Sequence, residues 1–322
     1  MDGVDVAIVG AGPAGLFGAY YAGFRGLSVM IIDALPEPGG QVTALYPEKM
    51  IFDVAGFPAI RGRDLIANLV EQADQFHPRY RLGVRAEEID YDDDGRPVLR
   101  LSDGERLRCG AVLITGGMGS FTARPLPAAR DFTGEGVRYF VPHLDDLAGH
   151  DVVVVGGGDS AFDWALALLP IAKSVTLVHR RDRFRAHAGT VDRVRASDAE
   201  IIVNAQVARI VGDRAVTGIE VALAEQTRLL PADTVIAALG FTADLGTLAT
   251  WGLELDRRHV VVDTTMATNL PRVFAAGDIS DYPGKVRLIA TGFGEAATAV
   301  NNAAIVIDPA AHLFPGHSSE AG

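Results

Sequence analysis

Residues 4–15 read VDVAIVGAGPAG, and residues 150–161 read HDVVVVGGGDSA. In the first stretch, the apolar run Val6–Val9 predicts a short buried strand. Gly10, Gly12 and Gly15 follow at the spacing that makes a tight turn, lets the backbone approach a pyrophosphate and packs a helix closely on the strand. Pro13 at an early helical position gives up an N–H that has no partner there in any case. The spacing predicts a helix from Pro13 to about Arg25, with its positive dipole end turned to phosphate. The next strand, LSVMIID, ends in Asp33, a carboxylate placed to accept ribose hydroxyls.

The second stretch repeats the scheme 146 positions later, with Gly156, Gly158 and Ala161 in the G-x-G-x-x-A variant. Its helix is SAFDWALALLP, and its second strand is SVTLVH. Where Asp33 ends the first copy, His179, Arg180 and Arg181 end the second. A carboxylate there repels a ribose 2′-phosphate, whereas guanidinium forks bind it through paired charge-assisted hydrogen bonds. A period of this length is no solenoid. It reads as two copies of one nucleotide-binding unit, the first suited to an unphosphorylated ribose and the second to NADP(H).

The 322 residues suffice for two domains, and 48% hydrophobic with 22% charged residues suits a soluble enzyme. A formal net charge of -12 argues against nucleic acid and against an acidic membrane surface. No apolar run is long enough to cross a bilayer, and a strand starting at Val4 leaves no room for a signal peptide. Cys109 is the single cysteine, which excludes an internal disulfide, a C-x-x-C redox pair and a cysteine zinc cluster. No metal-ligand spacing is present, and a reducing cytoplasm is the expected location.

Two units with opposite demands fit one resident flavin, FAD, and one exchanging nicotinamide, NADPH. The C-terminal third supports the flavin. ATNLPRVFAAGDI (267–279) reads as a turn, a short strand and then Gly277-Asp278, with Asp278 expected at the ribityl or phosphate region. The helical VRLIATGFGEAATAVNNAAIVI follows, and Gly292 and Gly294 in it permit close approach of a backbone or a flat ligand. Its start near Leu288 is expected to aim N–H groups at the isoalloxazine.

GAGPAG, GGQ, GGGDSA, HRRDRFRA and FAAGD together resemble the low-molecular-weight thioredoxin reductase lineage. GGQVTALYPEKMIFDVAGFP and KVRLIATGFGEAATAVNNA are more closely similar to its ferredoxin/flavodoxin–NADP+ reductase branch, and the resemblance covers essentially the whole chain. Thioredoxin reductases of the lineage keep a C-x-x-C pair before the second glycine motif. Residues 136–158 contain no cysteine, so thioredoxin reduction is not expected.

The resemblance implies an α/β fold of two Rossmann-like dinucleotide-binding domains, of the three-layer ββα type. FAD would occupy residues 1–121 with 244–322, and NADPH residues 122–243. It further implies FAD contacts from Asp33, Gln41, Tyr46 (stacked on the isoalloxazine), Ala86, Phe121, Asp278 and Ser319, with His317 covering the other flavin face. For NADPH it implies Gly158, Asp159, Ser160, His179, Arg180, Arg181 and Arg185, with Arg185 an outer contact. A homodimer and a hinge at the two crossings are also implied.

The expected function is FAD-dependent electron transfer between NADPH and ferredoxin or flavodoxin, with the flavin rather than a catalytic side chain carrying the chemistry. The alternatives are an NADPH-dependent flavoprotein reductase of quinones or other small acceptors, and a non-catalytic NADP(H)- or flavin-responsive regulator. Ferredoxins and flavodoxins are acidic, so an acidic chain must offer a local basic patch, for which Lys49, Arg61 and Arg63 are candidates.

Overall fold

The computed structural model describes residues 3–117, 119–141 and 143–317, without the side chains of Ser120, Phe121 and Ala243. The chain divides into two compact units, Met1–Ser120 with Ala243–Gly322, and Phe121–Thr242.

Unit 1 opens with β1 (Val4–Val9), α1 (Pro13–Phe24) and β2 (Val29–Asp33), followed by the short α2 (Gln41–Leu45) and α3 (Gly62–Asp74). Then come β3 (Arg79–Leu82), β4 (Ala86–Tyr91), β5 (Pro97–Leu101) and β6 (Arg106–Ile114). β1 pairs in parallel with β2 and β6, and β2 with β3. The long β6 serves two sheets. Its first residues pair antiparallel with β5, which pairs with β4, while Cys109–Ile114 run beside β1. The pattern YRLGVRA suggests one strand closing at Ala86. Instead Gly83, at φ +72, ends β3, and Ala86 begins β4.

Unit 2 contains β7 (Asp151–Val155), α4 (Asp159–Leu168), β8 (Ser174–Val178), α5 (Ala188–Arg195) and β9 (Glu200–Ile202). The antiparallel β10 (Gln206–Val211), β11 (Gly218–Ala222) and β12 (Thr227–Pro231) precede β13 (Thr234–Ala237). The parallel sheet runs Val137–Arg138, β13, β7, β8, β9. Side chains alternate faces along a strand. Val153 and Val155 of β7 pack with Ile219, Val221 and Leu230 of the antiparallel sheet, while Val152 and Val154 pack with Phe162, Ala165 and Leu168 of α4. Both faces of β7 are therefore covered, which is why its sequence is an unbroken apolar run and why the unit has three layers.

The sequence repeat is also a repeat of pairing. Val6 lies opposite Val29 and Val9 opposite Ile32; 146 positions on, Val152 lies opposite Val175 and Val155 opposite Val178. The chain then returns to unit 1 with β14 (Val273–Ala275), parallel to β6, and the 19-residue α6 (Ile289–Ile307), which packs on α1.

Candidate functional sites in the two units

In unit 1 each motif glycine meets a different constraint. A Cβ on Gly15 would lie 1.9 Å from the Gly10 carbonyl oxygen, so helix and strand touch there. A Cβ on Gly12 would meet nothing within 4 Å. That open space lies at the N-cap of α1, whose first turn carries no acidic residue, and it suits an anion such as a pyrophosphate. At the end of β2, Asp33 accepts the Ala11 N–H at 2.6 Å and the Leu35 N–H at 2.8 Å, one on each oxygen. Each oxygen keeps a second lone pair for a hydroxyl. Burial raises the pKa of Asp33, against the pull of the two N–H groups. These features fit an adenosine diphosphate moiety with a free ribose.

The loop after β2 folds back over this turn. Gly39 donates its N–H to the Ala11 carbonyl at 2.8 Å, and a Cβ on Gly40 would lie 3.1 Å from the Gly12 Cα. Gln41 thus begins α2, directly after Gly40, and Tyr46 caps its end. The Tyr46 phenol is pushed up to about 12 by burial and then by the charges of Asp278 and Asp53. Asp278, in the turn Gly277–Ile279 after β14, is itself raised by burial, with Lys285 and Arg287 opposing that rise. A Cβ on Gly292, in the first turns of α6, would lie 3.3 Å from the Gly277 Cα and 3.4 Å from the Ala14 Cβ. The starts of α1 and α6 therefore converge on the Asp278 turn, with Leu288 as N-cap of α6. Phe52, Val54 and Phe57, with Ala290 from the first turn of α6, line an open groove.

Ala86 is buried, and its carbonyl accepts the Thr247 hydroxyl at 2.8 Å. Phe121 lies in the strand Ser120–Ala123, but its side chain is outside the described residues, as is all of Ser319. The tail carrying His317 is held at the other end of α1. Arg25 donates to the carbonyls of His312 at 2.6 Å and Leu313 at 2.8 Å, and bonds the Asn301 side chain. The 12 residues of α1 place this anchor about 18 Å from the glycine turn. His317 packs edge-on against Phe314.

Unit 2 uses the same turn differently. A Cβ on Gly156 would lie 2.5 Å from the Ala238 carbonyl, and one on Gly158 would meet nothing within 4 Å. Gly157 occupies the place of Ala11, and a Cβ on it would lie 2.3–2.5 Å from the His179 ring. His179, in the place of Asp33, thus lies flat on a position that only glycine allows. Burial lowers the pKa of His179, and the charges of Arg180, Arg181 and Arg185 lower it further against one backbone hydrogen bond. At neutral pH the imidazole is uncharged and the arginines carry the positive charge.

The basic segment folds back on the turn, with the Arg185 N–H donating to the Gly157 carbonyl at 2.8 Å. Arg185 is therefore joined to the glycine turn through its backbone. Asp159, in the first turn of α4 with Ser160, accepts the His187 N–H at 2.8 Å and ties down the far end of the segment. Phe184 anchors its middle, edge-on to Phe162 with ring centroids 4.8 Å apart. Arg180 and Arg181 remain exposed. An exposed pair of guanidinium groups beside an open glycine turn fits a dinucleotide with a 2′-phosphate.

The sequence reading missed Phe184, Arg25 and a buried pair, Lys285 and Glu295. The one signal for the last was a lone acid inside the apolar FGEAATAV of α6. The candidate basic patch has a specific form. Glu48, 4% exposed, faces both Arg61 and Arg63, which are 47% and 45% exposed, so the two guanidinium groups reach the surface while their carboxylate does not.

The family described as "Pyridine nucleotide-disulphide oxidoreductase" matches residues 4–303. The chain is 72% identical to a ferredoxin–NADP reductase of Salinispora arenicola over 99% of both chains. It is 62% identical to a ferredoxin–NADP reductase of Saccharopolyspora erythraea over 99% of this chain and 98% of that one. The thioredoxin reductase of T. acidophilum is similar in structure, with a TM-score of 0.77 at 29% identity over 93% of this chain and 97% of that chain.

Proposed function

The chain belongs to the pyridine nucleotide-disulphide oxidoreductase family, and on that premise we propose that it is an FAD-dependent enzyme moving electrons between NADPH and ferredoxin. The observation that carries the reading is the contrast between the two copies of one motif: Asp33 ends the first, and His179 with Arg180 and Arg181 ends the second. FAD supplies, when bound, the capacity to take a hydride and release its two electrons singly.

The chain's own residues bind and orient. The start of α1 receives the pyrophosphate, Asp33 the adenosine ribose and Asp278 the hydroxyls of the ribityl chain. Tyr46, held protonated, offers a neutral ring. In the second unit, Gly156–Ser160 cradle the nicotinamide dinucleotide and Arg180 and Arg181 grip its 2′-phosphate, with Arg185 beside them. The one thiol, Cys109, is 1% exposed and pushed up to about 12 by burial, so electrons do not pass through a dithiol as in disulfide reductases.

The proposed partner set includes flavodoxin, and the proposed state is a cytoplasmic homodimer. Among the described residues no helix is long and apolar enough to cross a membrane. The exposed guanidinium groups of Arg61 and Arg63, paired to a buried Glu48, support approach by an acidic carrier. The test is steady-state NADPH oxidation with ferredoxin or flavodoxin as acceptor at rising salt. Turnover with a falling kcat/KM is expected, and turnover restricted to quinones or ferricyanide would overturn the reading.

A further inference from the structure

Two opposite charges lie almost wholly inside unit 1, Lys285 at 2% and Glu295 at 5% exposure of the side chain. A buried ion pair offsets its desolvation only when further hydrogen bonds satisfy both partners. Here they do. Glu295, on the buried face of α6, accepts the Gly277 N–H at 2.8 Å, the Tyr282 hydroxyl at 2.6 Å and the Ser280 hydroxyl at 3.3 Å, besides its contact with the Lys285 ammonium. Lys285 also donates to the Gly277 carbonyl at 3.0 Å and to the Ser280 hydroxyl oxygen at 3.2 Å.

Lys285 and Glu295 thus hold one turn between them, with Tyr282 bonded to the Glu295 carboxylate. The Gly277 peptide groups are held at the N–H by Glu295 and at the C=O by Lys285, with Gly277 at φ +79. The next residue is Asp278. The two charges of the pair act on Asp278 in opposite directions, Lys285 favouring its carboxylate more than Glu295 disfavours it.

We propose that Lys285 and Glu295 are positioning residues for the flavin, clamping the Gly277–Ser280 turn so that Asp278 meets the polyol hydroxyls in one orientation. The proposal rests on the FAD reading of unit 1 given above. It differs from a merely structural role, in which the pair only fastens α6 to the sheet. A positioning pair acts through Asp278, so its removal matters only while Asp278 is present.

The experiment is a double-mutant cycle read as the FAD dissociation constant of the apoprotein, measured by flavin fluorescence. Binding of 2′,5′-ADP, a probe for unit 2, serves as the folding control. Asp278→Asn is expected to weaken FAD about tenfold, as for a lost hydrogen bond to a charged group. Glu295→Gln is expected to weaken it about fivefold alone and less than about twofold in the Asp278→Asn background. Additive losses, or no loss with Glu295→Gln, would overturn the positioning role while leaving the FAD site standing. No loss with Asp278→Asn would instead overturn the placement of FAD on this turn. Should Glu295→Gln fail to fold, Tyr282→Phe removes a single donor to the same carboxylate and is expected to couple to Asp278 in the same sense; a Tyr282→Phe variant without coupling counts against the proposal.

Discussion

Replacing Arg180 and Arg181 together with glutamine isolates the proposed cofactor choice of unit 2. A hydrogen bond to a charged group is worth about 1.5–3 kcal/mol net, and a guanidinium grips phosphate with two. Both arginines are exposed, so screening by water reduces the loss to about 1–1.5 kcal/mol each. The double variant should lose about 2–3 kcal/mol, or roughly 30- to 150-fold in affinity for NADPH. NADH carries no 2′-phosphate, and its affinity should change by less than about threefold. His179 stays in place because it is packed on Gly157, so the adenine end of the site is preserved. The same 2′-phosphate distinguishes NADP+ from NAD+, and titration of the protein with these two by calorimetry should show the same pair of losses. Equal losses for the two nucleotides would mean that the basic segment is only a solvated surface.

Three further outcomes follow from the packing. Gly15→Ala forces a methyl group into the Gly10 carbonyl at 1.9 Å, and overpacking of about 1–3 kcal/mol should release FAD while 2′,5′-ADP binding persists; loss of both would mean the substitution unfolds the chain. Gly157→Ala should displace His179 and weaken NADP+ with FAD content unchanged, and retained NADP+ affinity would contradict the packed imidazole. Cys109, raised to about 12, should react with maleimide at pH 8 roughly a thousandfold more slowly than a free thiol until the protein unfolds, as read by mass increment; prompt labelling of the native protein would contradict its burial.

The sequence carried those features that local patterns encode. Strand, glycine turn, helix and terminal acid are contiguous, so β1–α1–β2 and its copy could be read in order, and the pairing registers preserve the 146-residue offset. The difference between Asp33 and His179 was visible for the same reason, but its counterpart was not. That Gly157 must be glycine because the imidazole lies on it is a contact across 22 residues, and no periodicity reports it. The Arg25 anchor joins residues 276 to 288 positions apart, and no local pattern reports it. Lys285 and Glu295 show only as one base in a turn and one acid in an apolar helix, and each alone reads as a surface charge. Gly83 shows the opposite failure: the strand-like YRLGVRA reads as one strand, and a positive φ splits it.

Anaerobic mixing of the flavin-loaded protein with NADPH, followed by cytochrome c reduction with and without added ferredoxin, tests the central claim most directly. NADPH should bleach the flavin absorbance, and ferredoxin should strongly raise the rate of cytochrome c reduction. A flavin that NADPH leaves oxidised, or a cytochrome c rate indifferent to ferredoxin, would contradict that claim.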